Sequence, residues 1–450
     1  MKVQPISRRE FMKLAAAGAS VALLAGCQAA APVAESGAPS SEVTELRFVK
    51  LSMNDPVAEY FEGTAVPGFN EANPNLTVTV DMSDWDHLGE KLLTSFAGNL
   101  PVDLVETGSD WVGPYARRKQ FLSLSDYIAA DYEDEMADFY PEMVDISLFE
   151  DKLMGLPYVL DIRTMLYRKD HFEEAGLDPN TPPDTWEDLI EFGMKLVQTD
   201  DQGNITRSGY LMSAATPSEA WFEYWYLLIQ NGSNFIVPWG SWEPNDVAFN
   251  GPEGAEALQF LYDMVHEYKI TPLTSMTAKN PNLSALADGV TSMDNTGSSE
   301  IGNWKLYQPD MLDVLGVGVP LMKKERLQYV CPNVYAIGAN TQQPDGAWEL
   351  MKYMESKEIM TGMLAPDNAS PPRISIAEEA EYMQDPMLIS FQEIPSKGWG
   401  TTTPQALDSP TMNIIGNYVQ AALRDEMGIQ DALDKAAEEV KKKIEEFLAA

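Results

Sequence analysis

Cysteine and histidine are scarce in this 450-residue chain, which has two of the first and three of the second. Cys27 and Cys331 stand far apart, and an internal disulfide framework cannot be read from them. His87, His171 and His266 lack the short spacing of a zinc site, so they are expected as surface or satisfied histidines, with no metal or cofactor. Basic residues are few as well: 31 Lys and Arg face 69 Asp and Glu, for a net charge of -38. A surface of that sign argues against nucleic acid and anionic lipid headgroups as partners. The acidic residues are scattered, as solubility outside the cell would require. No Walker-type phosphate loop, Gly-x-Ser-x-Gly elbow or helical His pair occurs, so no enzyme class is indicated. Beyond the first 26 residues, no apolar run is long enough to span a bilayer.

What is present begins at the N-terminus. Ser7-Arg8-Arg9-Glu10-Phe11-Met12-Lys13 precedes an apolar stretch over 14–25, a basic segment followed by a short hydrophobic one. The paired arginines resemble a twin-arginine export signal. Leu24-Ala25-Gly26-Cys27 resembles the bacterial lipobox, which implies cleavage before Cys27 and a lipid on its sulfur. Residues 1–26 are thus expected as a signal peptide. Removing its four basic residues and one acidic residue makes the chain about three units more negative. Residues 27–42, rich in Ala, Pro, Ser and Gly, read as a flexible tether.

The remaining 400 or so residues exceed a single core. Leu46, Phe48 and Leu51 mark a first strand, and a helix is expected over 56–70. Leu76, Val78 and Val80 alternate with threonines as a second strand, a helix follows over 86–97, and 102–105 form a third strand. That order predicts an α/β fold with a parallel sheet. Ligands bind off the carboxyl ends of such strands, which makes Ser109, Asp110 and Trp111 a candidate edge. Thr185 and Asp188 read as a capping box, with Pro182-Pro183 holding the helix start in place. Trp186 and Trp348 are expected in cores. A docked amphipathic helix is expected at the C-terminus, from the spacing of Leu433, Ala436, Val440, Ile444, Phe447 and Leu448.

Three stretches in order carry a family resemblance: Gly155-Leu156-Pro157-Tyr158, then Leu166-Tyr167-Arg168-Lys169-Asp170-His171-Phe172, then Pro182-Pro183-Asp184-Thr185-Trp186-Glu187-Asp188-Leu189. Residues 285–293, Val317-Gly318-Val319-Pro320 and Gly346-Ala347-Trp348-Glu349-Leu350 agree with them. Together they resemble the extracellular solute-binding proteins of family 1, the maltose-binding-protein group, over nearly the whole chain from residue 44. The resemblance implies a two-lobed periplasmic-binding-protein type II fold, its lobes discontinuous and joined by a hinge, with the ligand cleft between them. Carried onto this chain, lobe 1 is 43–158 with 318–358, and lobe 2 is 159–317 with 359–450. The crossings fall at 158–163, 317–320 and 356–364. It implies the lipid-anchored, extracytoplasmic, monomeric receptor of an ABC permease, binding a sugar that closes the lobes.

Sugars want flat aromatic platforms for their apolar faces and bidentate polar side chains for their hydroxyls. The chain has ten tryptophans, densest in Trp221-Phe222-Glu223-Tyr224-Trp225-Tyr226. Trp221 or Trp225 is expected either in the cleft or in a core, and Trp239 and Trp242 on a lobe surface or the cleft rim. The resemblance aligns Asp110 with a sugar-binding carboxylate and Asp161 with a second acidic position on the crossing strand. Asp294, Gly297 and Ser298 fall in a loop that carries a stacking aromatic in the family, where Ser299 stands here. That departure puts malto-oligosaccharide in doubt. Asn54, Trp85, Tyr158 and Trp399 complete the candidates, with Arg373, for which bracing the hinge is favoured over ligand contact. The other readings are a peptide, polyamine or polyol phosphate as ligand, or a glycosidase using Asp110 and Asp161 as its carboxylate pair.

Overall fold

The computed structural model describes residues 43–449, apart from 275, 281 and 282. Arg8, Arg9, Cys27 and the expected tether lie outside the described residues. The alternating segments form the strands β1 (Thr44–Leu51), β2 (Leu76–Ser83) and β3 (Leu104–Gly108). They run parallel, with Phe48 of β1 beside Val80 on one side and Leu104 on the other. β3 is buried at every position, whereas β2, at the sheet edge, buries only Val78 and Ser83. The helix expected over 56–70 is broken in register: Asp55–Tyr60 passes through a π turn at Phe61–Ala65 into Val66–Ala72.

The strand that follows decides the architecture. β4 (Leu156–Arg168) begins at the Gly-Leu-Pro-Tyr motif and runs for 13 residues. Its far half pairs with β5 (Met293–Gly297) and β6 (Leu315–Val317). Its near half pairs antiparallel with β7 (Gln328–Ala336), from Tyr335 opposite Leu156 to Val330 opposite Ile162, across a bulge at Asn333 and Val334. The end of β7 also pairs with β3, and its beginning with β8 (Gly400–Thr401). β4 and β7 therefore carry continuous backbone from one half of the molecule to the other.

Two of the three expected crossings lie elsewhere. Residues 317–320 only end the edge strand β6, and the second crossing is β7, because only that segment bonds to both β3 and β4. Residues 356–364 are occupied by the helix Lys357–Leu364, and the chain returns past β4 later, where the Leu160 N–H donates to the Ser370 carbonyl at 2.8 Å. The cores follow suit. Leu321, Tyr329 and Cys331 pack with Trp186, Trp225 and Leu433, while Met360, Met363 and Ile376 pack with Phe48, Phe61 and Trp348. Hence 318–331 go with the second core and 359–376 with the first, against the expected boundaries at 318 and 359.

Local signals explain the helices that frame the second core. Helix α1 (Trp186–Leu196) starts at a capping box: Asp188 N–H donates to Thr185 Oγ1 at 3.1 Å, and Thr185 N–H to Asp188 Oδ2 at 3.0 Å. Thr185→Ala is expected to cost about 1 kcal/mol of stability, measured by urea unfolding. A second box, Thr216 with Glu219, starts α2 (Pro217–Gln230) and passed unread in the sequence. Helix α3 (Ser409–Leu423) crosses α2 at Gly416, where a Cβ would lie 1.8 Å from the Pro217 carbonyl oxygen, so only glycine allows the approach. The C-terminal helix α4 (Ile429–Ala449) buries Leu433, Ala436, Val440 and Ile444, packing on α3 and on the helix Pro252–His266, but Leu448 is exposed. Among the described residues, no helix is long and apolar enough to cross a membrane.

Candidate functional site

A cleft of about 750 Å³ opens where β4 and β7 cross, lined from both cores. Its geometry follows from strand alternation on β4. Leu160 and Ile162 point into a core, so Asp161 and Arg163 point the other way, into the cleft. The Arg163 guanidinium donates to Asp161 at 3.0 Å and lies flat over the Phe222 ring, 4.6 Å from its centre. Tyr158, further up the same strand, stacks on Tyr335 at 4.2 Å and donates its hydroxyl to Glu106. Glu106 in turn pairs with Lys50, and both side chains are almost wholly buried in the cleft wall. Burial pushes the Glu106 carboxyl up, against the pull of Lys50.

The turn after β3 supplies Asp110 and Trp111. Gly108 lets it form, since a Cβ there would meet Asp110 Oδ1 at 2.2 Å. Burial lifts the Asp110 carboxyl to about 6, with the Asp161 charge adding to it. Trp111 lies beneath the more exposed Trp85, their rings edge to face at 5.9 Å, and both line the cleft. Asn54 lines it too, as the N-cap of Asp55–Tyr60, with its amide donating to Asp367 at 2.7 Å.

From the opposite side, α2 presents Trp221, Phe222, Glu223 and Tyr226. Glu223 accepts from the Tyr210 hydroxyl and from the Ser213 N–H, each at 3.3 Å. Burial first, then the neighbouring Asp294, pushes its carboxyl up to about 8. Asp294 itself is raised to about 7, by burial and by Glu300, while Arg163 pulls it down. One buried polar atom of this wall, Trp221 Nε1, has no hydrogen-bond partner.

Of the fourteen candidate positions, the cleft gathers Asn54, Trp85, Asp110, Trp111, Tyr158, Asp161, Trp221, Gly297 and Ser298. The other five lie off it. Ser109 turns inward, its hydroxyl 3.2 Å from the Cys331 sulfur. Trp225 is one helical step out of phase with the cleft face and donates to Asn234 at 2.8 Å within the core. Asp294 sits behind Asn295, which takes its place on the cleft surface. Arg373 is locked in the first core by Tyr132, Glu135 and Asp138. Trp399 lies against Arg326 and Lys397. Trp239 and Trp242 also stay off the cleft, the first bonded to the carbonyls of Thr402 and Thr403, the second packed on Phe149.

The residues missed from sequence are Lys50, Glu106, Arg163, Glu223, Tyr226, Tyr329 and Asn333. Arg163 was legible by period two from Asp161, and Glu223 by its place inside the aromatic run. Among the described residues, no group of three or more His, Cys, Asp or Glu is arranged to hold a metal ion.

The family model for bacterial extracellular solute-binding proteins matches residues 64–389. A putative binding protein of Brucella abortus is 28% identical over 152 residues, which is 34% of this chain and 36% of that one. The arabinooligosaccharide-binding protein of Halalkalibacterium halodurans is 26% identical over 155 residues, 34% of this chain and 31% of that one. The match spans about a third of the length of these curated relatives. The likeness of fold extends much further. A solute-binding protein of Thermotoga lettingae bound with α-D-tagatose superposes with a TM-score of 0.77 at 21% identity, covering 89% of this chain and all of that one. The sugar-binding protein MalE of Xanthomonas citri superposes with a TM-score of 0.72 at 21% identity, covering 90% and 98%. The two-lobed architecture of these proteins is the one described above.

Proposed function

The chain belongs to the bacterial extracellular solute-binding proteins, and we propose that it is the external receptor of an ABC importer for a carbohydrate. The observation that carries this reading is the cleft, where aromatic rings of Trp85, Trp111 and Trp221 stand beside Asp110, Asp161, Arg163, Glu223 and Asn333. Rings suit the apolar faces of a mono- or oligosaccharide, and the polar set replaces water at its hydroxyls, each of which costs about 1–3 kcal/mol if left unpaired. Relatives named for arabinooligosaccharide and diacetylchitobiose binding support the same class. A ligand touching both walls is held fully only when the lobes close, so binding shifts the population toward the closed form, which a permease distinguishes by shape.

Phosphorylated polyols fit less well. The two cations lining the cleft, Lys50 and Arg163, already serve Glu106 and Asp161. No reaction is assigned to the site. Lipidation at Cys27 after twin-arginine export would keep a monomeric receptor near its permease at high effective concentration.

A thermal-shift screen against mono- and oligosaccharides tests this, since a ligand of the native state raises the melting temperature. Asp110→Ala is expected to abolish the shift given by the best sugar. It should leave the unliganded midpoint nearly unchanged, because the raised carboxyl adds no favourable charge to the fold. A shift with peptides or polyamines and none with any carbohydrate would overturn the assignment.

A further inference from the structure

Counting charges in the cleft and just behind its wall, rather than over the surface, singles out one wall. Arg163 is the cation that faces Asp161, Glu223 and Asp294, and its guanidinium is committed to Asp161 at 3.0 Å. Glu223 is hydrogen-bonded only by neutral donors, Tyr210 and Ser213, with Arg163 acting on it through charge alone, and Asp294 lies close enough to oppose its ionisation. Across the cleft, Asp110 is mostly buried, its carboxylate bonded by its own N–H and that of Trp111, with Asp161 as a like-charged neighbour. Buried carboxylates are ordinarily paired with a cation. The bland explanation, an acidic protein throughout, accounts for solvated acids and not for these.

A second observation points to hydroxyls on the same ligand. The Trp221 indole N–H lines the cleft beside Glu223, is at least nine-tenths buried, and has no hydrogen-bond partner. An indole N–H only donates, so it wants an oxygen acceptor. Carboxylates without a cation and a donor without an acceptor ask for one molecule carrying both an ammonium group and hydroxyls. Resting on the carbohydrate reading, we propose that the cleft selects an amino sugar, its ammonium held between Glu223 and Asp110 and a hydroxyl oxygen facing Trp221 Nε1. A neutral or N-acetylated sugar leaves Glu223 carrying its proton, whereas an ammonium displaces it.

Titration calorimetry of the intact protein with glucosamine, galactosamine and mannosamine, each beside its N-acetyl form and its neutral parent, tests this directly. At least one free amine is expected to bind tenfold or more tighter than both of its counterparts. Its binding should release protons at pH 7, seen as an enthalpy that varies with the ionisation enthalpy of the buffer. The groups facing that ammonium are Glu223, Asp294, Asp161, Arg163, Tyr210 and Tyr226 on one side and Asp110 on the other. Protonation of the acids makes affinity fall as pH drops from 7 to 5. Glu223→Gln should erase the preference for the amine, its affinity falling to that of the neutral parent measured on the same variant. Equal or tighter binding of neutral or N-acetyl sugars overturns the inference and leaves the carbohydrate reading standing. Binding of spermidine with no response to any sugar overturns the carbohydrate reading, and the amino-sugar inference with it.

Discussion

Arg373→Ala is expected to destabilise the ligand-free protein by about 3–5 kcal/mol, the cost of removing one partner of a buried ionic network. Arg373 is among the largest wholly buried side chains. Every edge of its guanidinium is used: Nη1 donates to Glu135 and Asp138 at 3.0 Å, Nη2 to the Tyr132 hydroxyl at 2.6 Å, and Nε to the Glu355 carbonyl at 3.0 Å. Its plane covers Phe139 at 4.5 Å. These partners come from segments far apart in the chain, so truncation loosens the seam where the returning chain rejoins the first core. It also removes the positive charge nearest the Glu355 carboxyl, which burial pushes far up. Arg373→Lys keeps the charge but not the fork, and should lose roughly half as much. Urea unfolding measures both. Because Arg373 does not line the cleft, sugar affinity should stay within twofold in either variant. A loss under about 1 kcal/mol, or a selective loss of affinity, would return Arg373 to the ligand site.

The contrast between Arg373 and Arg163 shows what sequence carried and what it did not. Both are arginines next to a chain crossing, and the family motif drew attention to the one in the core. Periodicity does better than motif here. The alternation over 76–80 and the capping box at Thr185 named their elements, because both signals act within a few residues. The Ser109 to Trp111 turn followed from a strand end in the same way, whereas Asp161 came from the family resemblance. The misplaced boundaries at 318 and 359 depend instead on pairing between residues more than a hundred positions apart, such as Val330 with Ile162. Nothing local distinguishes β6, which ends at Val317, from β7, which begins at Gln328. In the aromatic run, composition showed that some rings must face a cavity. The helix phase, set by packing against α3 at Gly416, decided that Trp221 and Glu223 do so and Trp225 does not.

That phase has a consequence for stability. The ligand-free protein should lose about 2 kcal/mol of unfolding free energy between pH 6.5 and 8, the reverse of what ionised salt-bridged acids give. Glu223, lifted to about 8, and Asp294, lifted to about 7, bind protons more tightly folded than unfolded. Their contribution is complete below the ordinary carboxylate range and is lost as pH rises through the folded values. His171 acts oppositely but elsewhere. Burial and the two neighbouring arginines, Arg207 and Arg168, hold its imidazole down at about 4, so its stabilisation is present above 6.5 and is lost as pH falls. Acids lowered by hydrogen bonds and ion pairs, Asp81 by Lys91 and Arg47 and Asp138 by Ser375 and Arg373, change only below their unfolded range. Glu300 and Glu355, also raised by burial, act in the same sense, so the share of the cleft carboxyl is read from the variant. Glu223→Gln should lower the slope by the larger part of what Glu223 and Asp294 contribute, since glutamine keeps the shape and cannot ionise. Urea midpoints at three pH values across this interval, for the parent and the variant, measure it. A slope that persists in Glu223→Gln would place the titrating group away from the cleft. A slope removed both by that substitution and by a bound amino sugar would mean that ligand charge and protonation satisfy the same carboxylate.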